Sequence, residues 1–118
     1  MKRNHRNLRA WQQALELVTA TYRLTADFPD TERFGLTSQL RRAAVSVPAN
    51  IAEGAARSGT KELIYFLSIA TGSLSELDTL AELAMKLGYI DDAKLIQEQI
   101  DDVAGLIMGL SASLKRRA

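Results

Sequence analysis

SQLRRAAVSVPANIAEGAAR, residues 38–57, decides how the rest of the chain is read. Leu40, Ala43, Val47 and Ile51 recur at steps of three and four, and Arg42, Ser46, Asn50, Glu53 and Arg57 recur at similar steps beside them. One helix therefore presents an apolar seam next to a polar one. Pro48 falls inside this pattern. There it removes a backbone donor, crowds the carbonyl of Ala44 and costs roughly 3 kcal/mol in an ordinary helix interior. Packing on both flanks must offset that cost, and Ala43, Ala44, Ala49 and Ala52 are small enough to let neighbouring helices approach a kinked backbone.

Upstream, Leu8, Trp11, Leu15, Val18 and Tyr22 alternate at steps of three and four, which predicts a helix over about residues 8–25 with those side chains as its packing seam. The segment DFPDTERFG, residues 27–35, breaks the period with Pro29 and Gly35 and reads as a connection containing one helical turn. Thr37 or a neighbour is the expected cap of the helix that follows.

Downstream, Gly54 to Gly59 favours a turn, and Thr60 is the candidate cap of a helix over residues 61–87, with Glu62 in its first turn. Leu63, Leu67, Ala70, Leu74, Leu77, Ala81 and Ala84 hold one seam of this helix, while Ile64, Phe66, Ile69, Leu80, Leu83 and Met85 lie off it. A helix apolar over more than one stripe needs cover on more than one side, from the other helices and from another subunit. Ser68, Gly72, Ser75 and Thr79 form a stripe of small side chains opposite. Gly88 ends the helix, Asp91 is the expected cap of the last one with Asp92 beside it, and Ile96, Ile100, Val103, Ile107, Leu110 and Leu114 give the cleanest heptad spacing in the chain. The predicted fold is all-α: an antiparallel up-down four-helix bundle with a proline-kinked second helix. It forms one domain over residues 1–118, led by a basic arm at residues 1–7.

Composition excludes several functions. No apolar run is long enough to cross a bilayer, and MKRNHRNLRAW at the start has no signal-like hydrophobic stretch, so a cytoplasmic protein with no membrane partner is expected. Cysteine is absent, which removes disulfides and thiolate chemistry. The net charge is +1, but residues 1–57 carry nine Lys/Arg against five Asp/Glu, and residues 58–118 carry six against nine. Basic residues collect at Lys2, Arg3, Arg6 and Arg9, at Arg41 and Arg42, and at Lys115, Arg116 and Arg117. These clusters suit phosphates; equally, the terminal ones suit solvated tails and the negative end of the last helix.

Catalysis fails on spacing. The single histidine, His5, lies in the arm, so neither a Glu-x-x-His di-metal site nor a Ser–His pair can form in the bundle. The isolated glycines match no phosphate-binding loop, and no cofactor, metal site or catalytic residue is expected. What remains is the polar stripe Arg42, Ser46, Asn50, Glu53 and Arg57, with Glu76 on the following helix. It reads either as structure or as a groove for a ligand or phosphates. In the structural reading, Ser46 and Asn50 serve the backbone that Pro48 disturbs, and Arg42 pairs with Glu53 or Glu76. Arg41 and Arg42, with Lys2, Arg3, Arg6 and Arg9, are the better nucleic-acid candidates, as salt-sensitive and largely sequence-independent phosphate contacts.

The run LTSQLRRAAVSVPANIAEGAARSGTKELIYFLSIATGSLSELDTLAELAMKLGYI, residues 36–90, with LRAWQQALELV near the start, resembles the four-helix-bundle family named for the 23S ribosomal RNA intervening-sequence protein. The resemblance implies a bacterial cytoplasmic protein, a left-handed antiparallel bundle and a homopentamer. It also implies a relation to the accessory variability protein of diversity-generating retroelements, which binds nucleic acid and a reverse transcriptase. It carries no enzymatic activity. Two functions of different class follow: an oligomeric adaptor binding RNA or DNA weakly through basic residues, or a structural module that holds partner proteins without intrinsic nucleic-acid binding.

Overall fold

A computed structural model describes residues 1–117. Four helices make up the chain: α1 (Arg9–Thr25), α2 (Leu36–Ala56), α3 (Thr60–Lys86) and α4 (Lys94–Arg117), with short 3₁₀ turns at Asn4–Asn7 and Asp30–Glu32. The described residues contain no strand. Each helix packs on its neighbours in chain order and α4 closes on α1, leaving no diagonal contact. The result is a rod of 46 × 26 × 19 Å.

Paired positions fix which ends lie together. Gly54 of α2 meets Leu63 and Phe66 of α3, and further along Ser46 meets Ser73. Ile64 and Leu67 of α3 share a groove with Ser111 and Lys115 of α4, whereas Glu82 meets Gln97. Arg9 and Gln13 of α1 lie beside Asp102 and Leu106 of α4, whereas Arg23 and Leu24 lie beside Asp92 and Leu95.

The seams of α2 and α4 are those read from the sequence: Leu40, Ala43, Val47 and Ile51 are buried, as are Ile96, Ile100, Val103, Ile107 and Leu114, with Leu110 half-buried. α2 runs through Pro48, which is itself buried beside Ala44. It approaches α3 closely at Gly54, where a Cβ would sit 2.7 Å from that of Phe66.

α1 differs from expectation. Its buried face is Ala10, Ala14, Leu17, Thr21 and Thr25, while Leu15 and Tyr22 of the expected seam are 39% and 44% exposed. The reason is local chemistry. Thr21 Oγ1 donates to the Leu17 carbonyl at 2.8 Å and Thr25 Oγ1 to that of Thr21 at 2.9 Å, so two hydroxyls enter the core already satisfied. Ala10 and Ala14 add close approach, which a reading by large apolar side chains undervalues.

The caps also differ. Gly35 holds the cap position of α2, and Glu32 Oε1 accepts from the Leu36 amide at 3.1 Å. Thr37 lies inside the first turn, turned to the core, where its hydroxyl has no partner. Gly59, not Thr60, precedes α3, and no side chain closes that cap. Before α4 it is Asp92, not Asp91, whose Oδ1 accepts from the Lys94 amide at 2.8 Å. Gly88 ends α3 as expected, at φ +83°, with its amide donating to Met85 and that of Tyr89 to Ala84. These two bonds make the Schellman closure that glycine permits.

Candidate nucleic-acid interface

The helix pairing gathers charges that are distant in sequence. The start of α1, the end of α2, the start of α3 and the end of α4 share one end of the rod. That end carries Lys2, Arg3, Arg6, Arg9, Arg57, Lys61, Lys115, Arg116 and Arg117, nine of the chain's fifteen Lys/Arg. All nine are exposed. Its carboxylates are Glu53, already held by Arg57 at 2.9 Å, Glu62, and Asp102, which lines a small cleft with Arg9. The opposite end is mixed, with Asp27, Asp30, Glu32, Asp91 and Asp92 among Arg23, Arg33, Lys86 and Lys94. A rod with one cationic end presents phosphates with a concentrated positive field.

The basic arm is attached to this end. Asn4–Asn7 forms a 3₁₀ turn, His5 meets Trp11 edge-on at 4.9 Å, Arg6 lies over the same ring at 5.9 Å, and Gln12 Nε2 donates to the Arg6 carbonyl at 2.7 Å. Trp11 thus anchors the arm while its body rests on the core.

Arg41 and Arg42 are not part of this cluster. They sit near the other end of α1, about 24 Å of helix rise away. Arg41 is held in place, its Nε donating to Thr25 Oγ1 at 2.9 Å and its guanidinium lying 4.5 Å over the Tyr22 ring. Arg42 is exposed and makes no ion pair. Both line an open cleft of about 610 Å³ together with Tyr22, Arg33, Phe34, Thr37, Ser38, Val45 and Ser46. Arg33 and Phe34 carried no signal in the sequence beyond an aromatic placed off the helical period, next to Gly35.

The polar stripe divides. Asn50 Nδ2 donates to the Ser46 carbonyl at 2.8 Å and to Ser46 Oγ at 2.9 Å, and the Ser46 and Ser73 hydroxyls share a hydrogen bond of 2.8 Å between α2 and α3. Asn50 therefore serves Ser46, not the Ala44 carbonyl that Pro48 leaves without its usual donor. Ser73 is a member that periodicity did not show. Glu53 pairs with Arg57 rather than Arg42, and Arg57 also lies 5.2 Å over Phe66. Glu76 borders a small cleft with Gln39, Arg42, Ala43 and Ser46. It makes no ion pair: Arg57–Glu53 is the one such pair among the described residues.

Across the rod, Glu32 ties the connections together. Its carboxylate accepts from the Leu36 amide and, at 2.8 Å, from the Tyr89 hydroxyl. The amide first, and then the hydroxyl, hold the Glu32 carboxyl below its ordinary value. The same bond, with burial and the carboxylate charge, pushes the Tyr89 hydroxyl up. No group of three or more His, Asp or Glu among the described residues is placed to hold a metal, and no helix among them is long and apolar enough to cross a membrane.

A family model described as 23S rRNA-intervening sequence protein matches residues 6–109. The chain belongs to that family. For this intervening-sequence family member, the match takes in Arg6, Arg9 and all of α2 and α3, and leaves Lys2, Arg3 and residues 115–117 outside it. Its fold is similar to a solved crystal structure, a protein of unknown function from the S23 ribosomal protein family of Bacteroides thetaiotaomicron VPI-5482. The two share a TM-score of 0.76 and 20% identity, over 86% of this chain and 97% of that one. Comparison with curated proteins finds no match.

Proposed function

We propose that this family member is a non-enzymatic, oligomeric scaffold of the bacterial cytoplasm that associates with RNA or DNA through phosphate contacts. The observation that carries this reading is the cationic end of the rod, where Lys2, Arg3, Arg6 and Arg9 meet Arg57, Lys61 and residues 115–117, nine cations against the carboxylates Glu53, Glu62 and Asp102. Such an arrangement favours binding that is weak for one chain, salt-dependent and indifferent to sequence. In a homopentamer five such ends act together, and linked weak contacts multiply.

The exposed apolar stripe of α1 supports the assembly half of the reading. Leu15 is exposed and Leu8, Trp11 and Val18 half-buried, so one helix leaves part of its packing face in water. The same stripe favours the second reading, a module that holds a partner protein and uses its basic residues for solubility alone.

Titration of the purified protein with structured RNA and with duplex DNA, at rising salt, separates the two. The scaffold reading expects affinity in the range of about 10⁻⁴–10⁻⁶ M that falls steeply with salt. Absence of binding at low ionic strength leaves the protein-interaction reading.

A further inference from the structure

We infer that the cleft between the end of α1 and the start of α2 is a nucleotide site, taking an unpaired base with its phosphate. This inference rests on the nucleic-acid reading above and adds to it a subsite that the cationic end does not contain. Three features of the cleft agree on that ligand.

The first is charge. Arg33, Arg41 and Arg42 line the cleft, and no carboxylate does. Glu32, in the neighbouring turn, is occupied by Tyr89 and the Leu36 amide. Arg41 is pinned by Thr25 and Tyr22, so it offers a fixed guanidinium, while Arg42 is exposed and free to meet a phosphate oxygen.

The second is flat apolar surface. Phe34 is 89% exposed and Tyr22 44%, an unusual state for two rings beside one cleft. One guanidinium lies against each ring, Arg33 at 5.3 Å from Phe34 and Arg41 at 4.5 Å from Tyr22. The other side of the Phe34 ring is left to a planar guest. Aromatic rings and guanidinium planes are the surfaces on which unstacked bases are received.

The third is an unspent polar group. Thr37 lines the cleft and is 91% buried; its Oγ1 is turned inward from the cleft surface and has no hydrogen-bond partner. A buried hydroxyl of this kind is costly unless a small shift or a bound polar edge satisfies it, and a base edge supplies both donor and acceptor. A volume of about 610 Å³ is within the range of sites that take a ligand of nucleotide size.

A duplex keeps its bases stacked and cannot use such a cleft, whereas a single strand or a free nucleotide can. The test compares the intact protein with Phe34→Ala and Phe34→Trp by fluorescence anisotropy on three labelled probes: a single-stranded oligonucleotide, a blunt duplex of equal length and a mononucleotide. Phe34→Ala is expected to weaken single-strand binding about tenfold, within the range for one lost stacking partner, to leave duplex binding unchanged, and to be rescued by Phe34→Trp. Mononucleotide binding lost in parallel identifies a free nucleotide as an occupant; mononucleotide silence with the single-strand effect intact identifies a strand. Both uphold the site. Equal loss on single strand and duplex, no loss on either, or a change of oligomeric state with single-strand affinity intact would overturn it, the last by assigning Phe34 to a subunit contact. If duplex and structured RNA bind while Phe34→Ala changes nothing, the cleft fails alone; if the intact protein binds no probe, the nucleic-acid reading fails with it.

Discussion

Gly54 shows how narrowly one residue decides the packing of α2 on α3. A methyl group there would lie 2.7 Å from Phe66 Cβ and 3.3 Å from Leu63 Cα, and the second of these is backbone. Gly54→Ala is therefore expected to destabilise the fold by ~1–3 kcal/mol, the usual cost of overpacking, as read by chemical denaturation. A change smaller than a few tenths would mean that the two helices separate freely. Glu32 gives a second prediction at this scale, with its sign set by the hydrogen bonds it accepts. Its folded carboxyl titrates below its ordinary value, so its contribution is complete above that value and is lost as pH falls through the depressed one. Tyr89→Phe keeps the ring contact with Phe28 at 5.4 Å but removes one donor. The variant is expected to be less stable than the parent at neutral pH, with the gap closing as the carboxyl protonates; a gap constant into strong acid contradicts this. Such details were closed to sequence reading. Thr37, Thr60 and Asp91 are all good caps by type, but Glu32 and Asp92 reach the amides before α2 and α4, and Gly59 precedes α3 with no side-chain cap, because the path of each connection decides what reaches an amide.

At the level of elements, legibility followed the size of the side chains doing the packing. α4 was readable because Ile96, Ile100, Val103 and Ile107 are both large and buried. α1 was not, because apart from Leu17 its core face is built from alanines and from threonines that satisfy their own hydroxyls, while Leu15 and Tyr22 face outward. The displaced stripe is informative for that reason. Leu15→Glu places a charge where the chain is already 39% exposed, so the helix and the thermal transition of a single subunit should persist. If sister subunits cover the stripe, the same change is expected to break the assembly into smaller species by light scattering. An unchanged assembly would move the subunit contact elsewhere. Pro48 belongs at this scale too: Ser46, Asn50 and Ser73 bond to one another and not to the carbonyl of Ala44, so burial of Pro48 and of Ala44 is what offsets the missing donor.

For the whole molecule, the decisive property is where the helix ends fall. Halving the chain at residue 57 shows only a mild imbalance of charge, because the arm, Lys61 and residues 115–117 are brought together by pairing α1 with α4 and α2 with α3, not by sequence order. Arg41 and Arg42, prominent as a pair in sequence, instead stand apart from that group in a cleft with two exposed rings. Four helices were therefore legible from spacing alone, whereas the grouping of cations needed the register of the bundle. The most direct test of that grouping is the slope of log affinity against log salt for duplex DNA, compared between the parent and a variant with Lys2, Arg3 and Arg6 replaced by alanine. Each lost phosphate contact should reduce the slope by about one, so a clearly flatter line in an intact oligomer is the predicted result, and an unchanged slope would contradict the assignment of the cationic end.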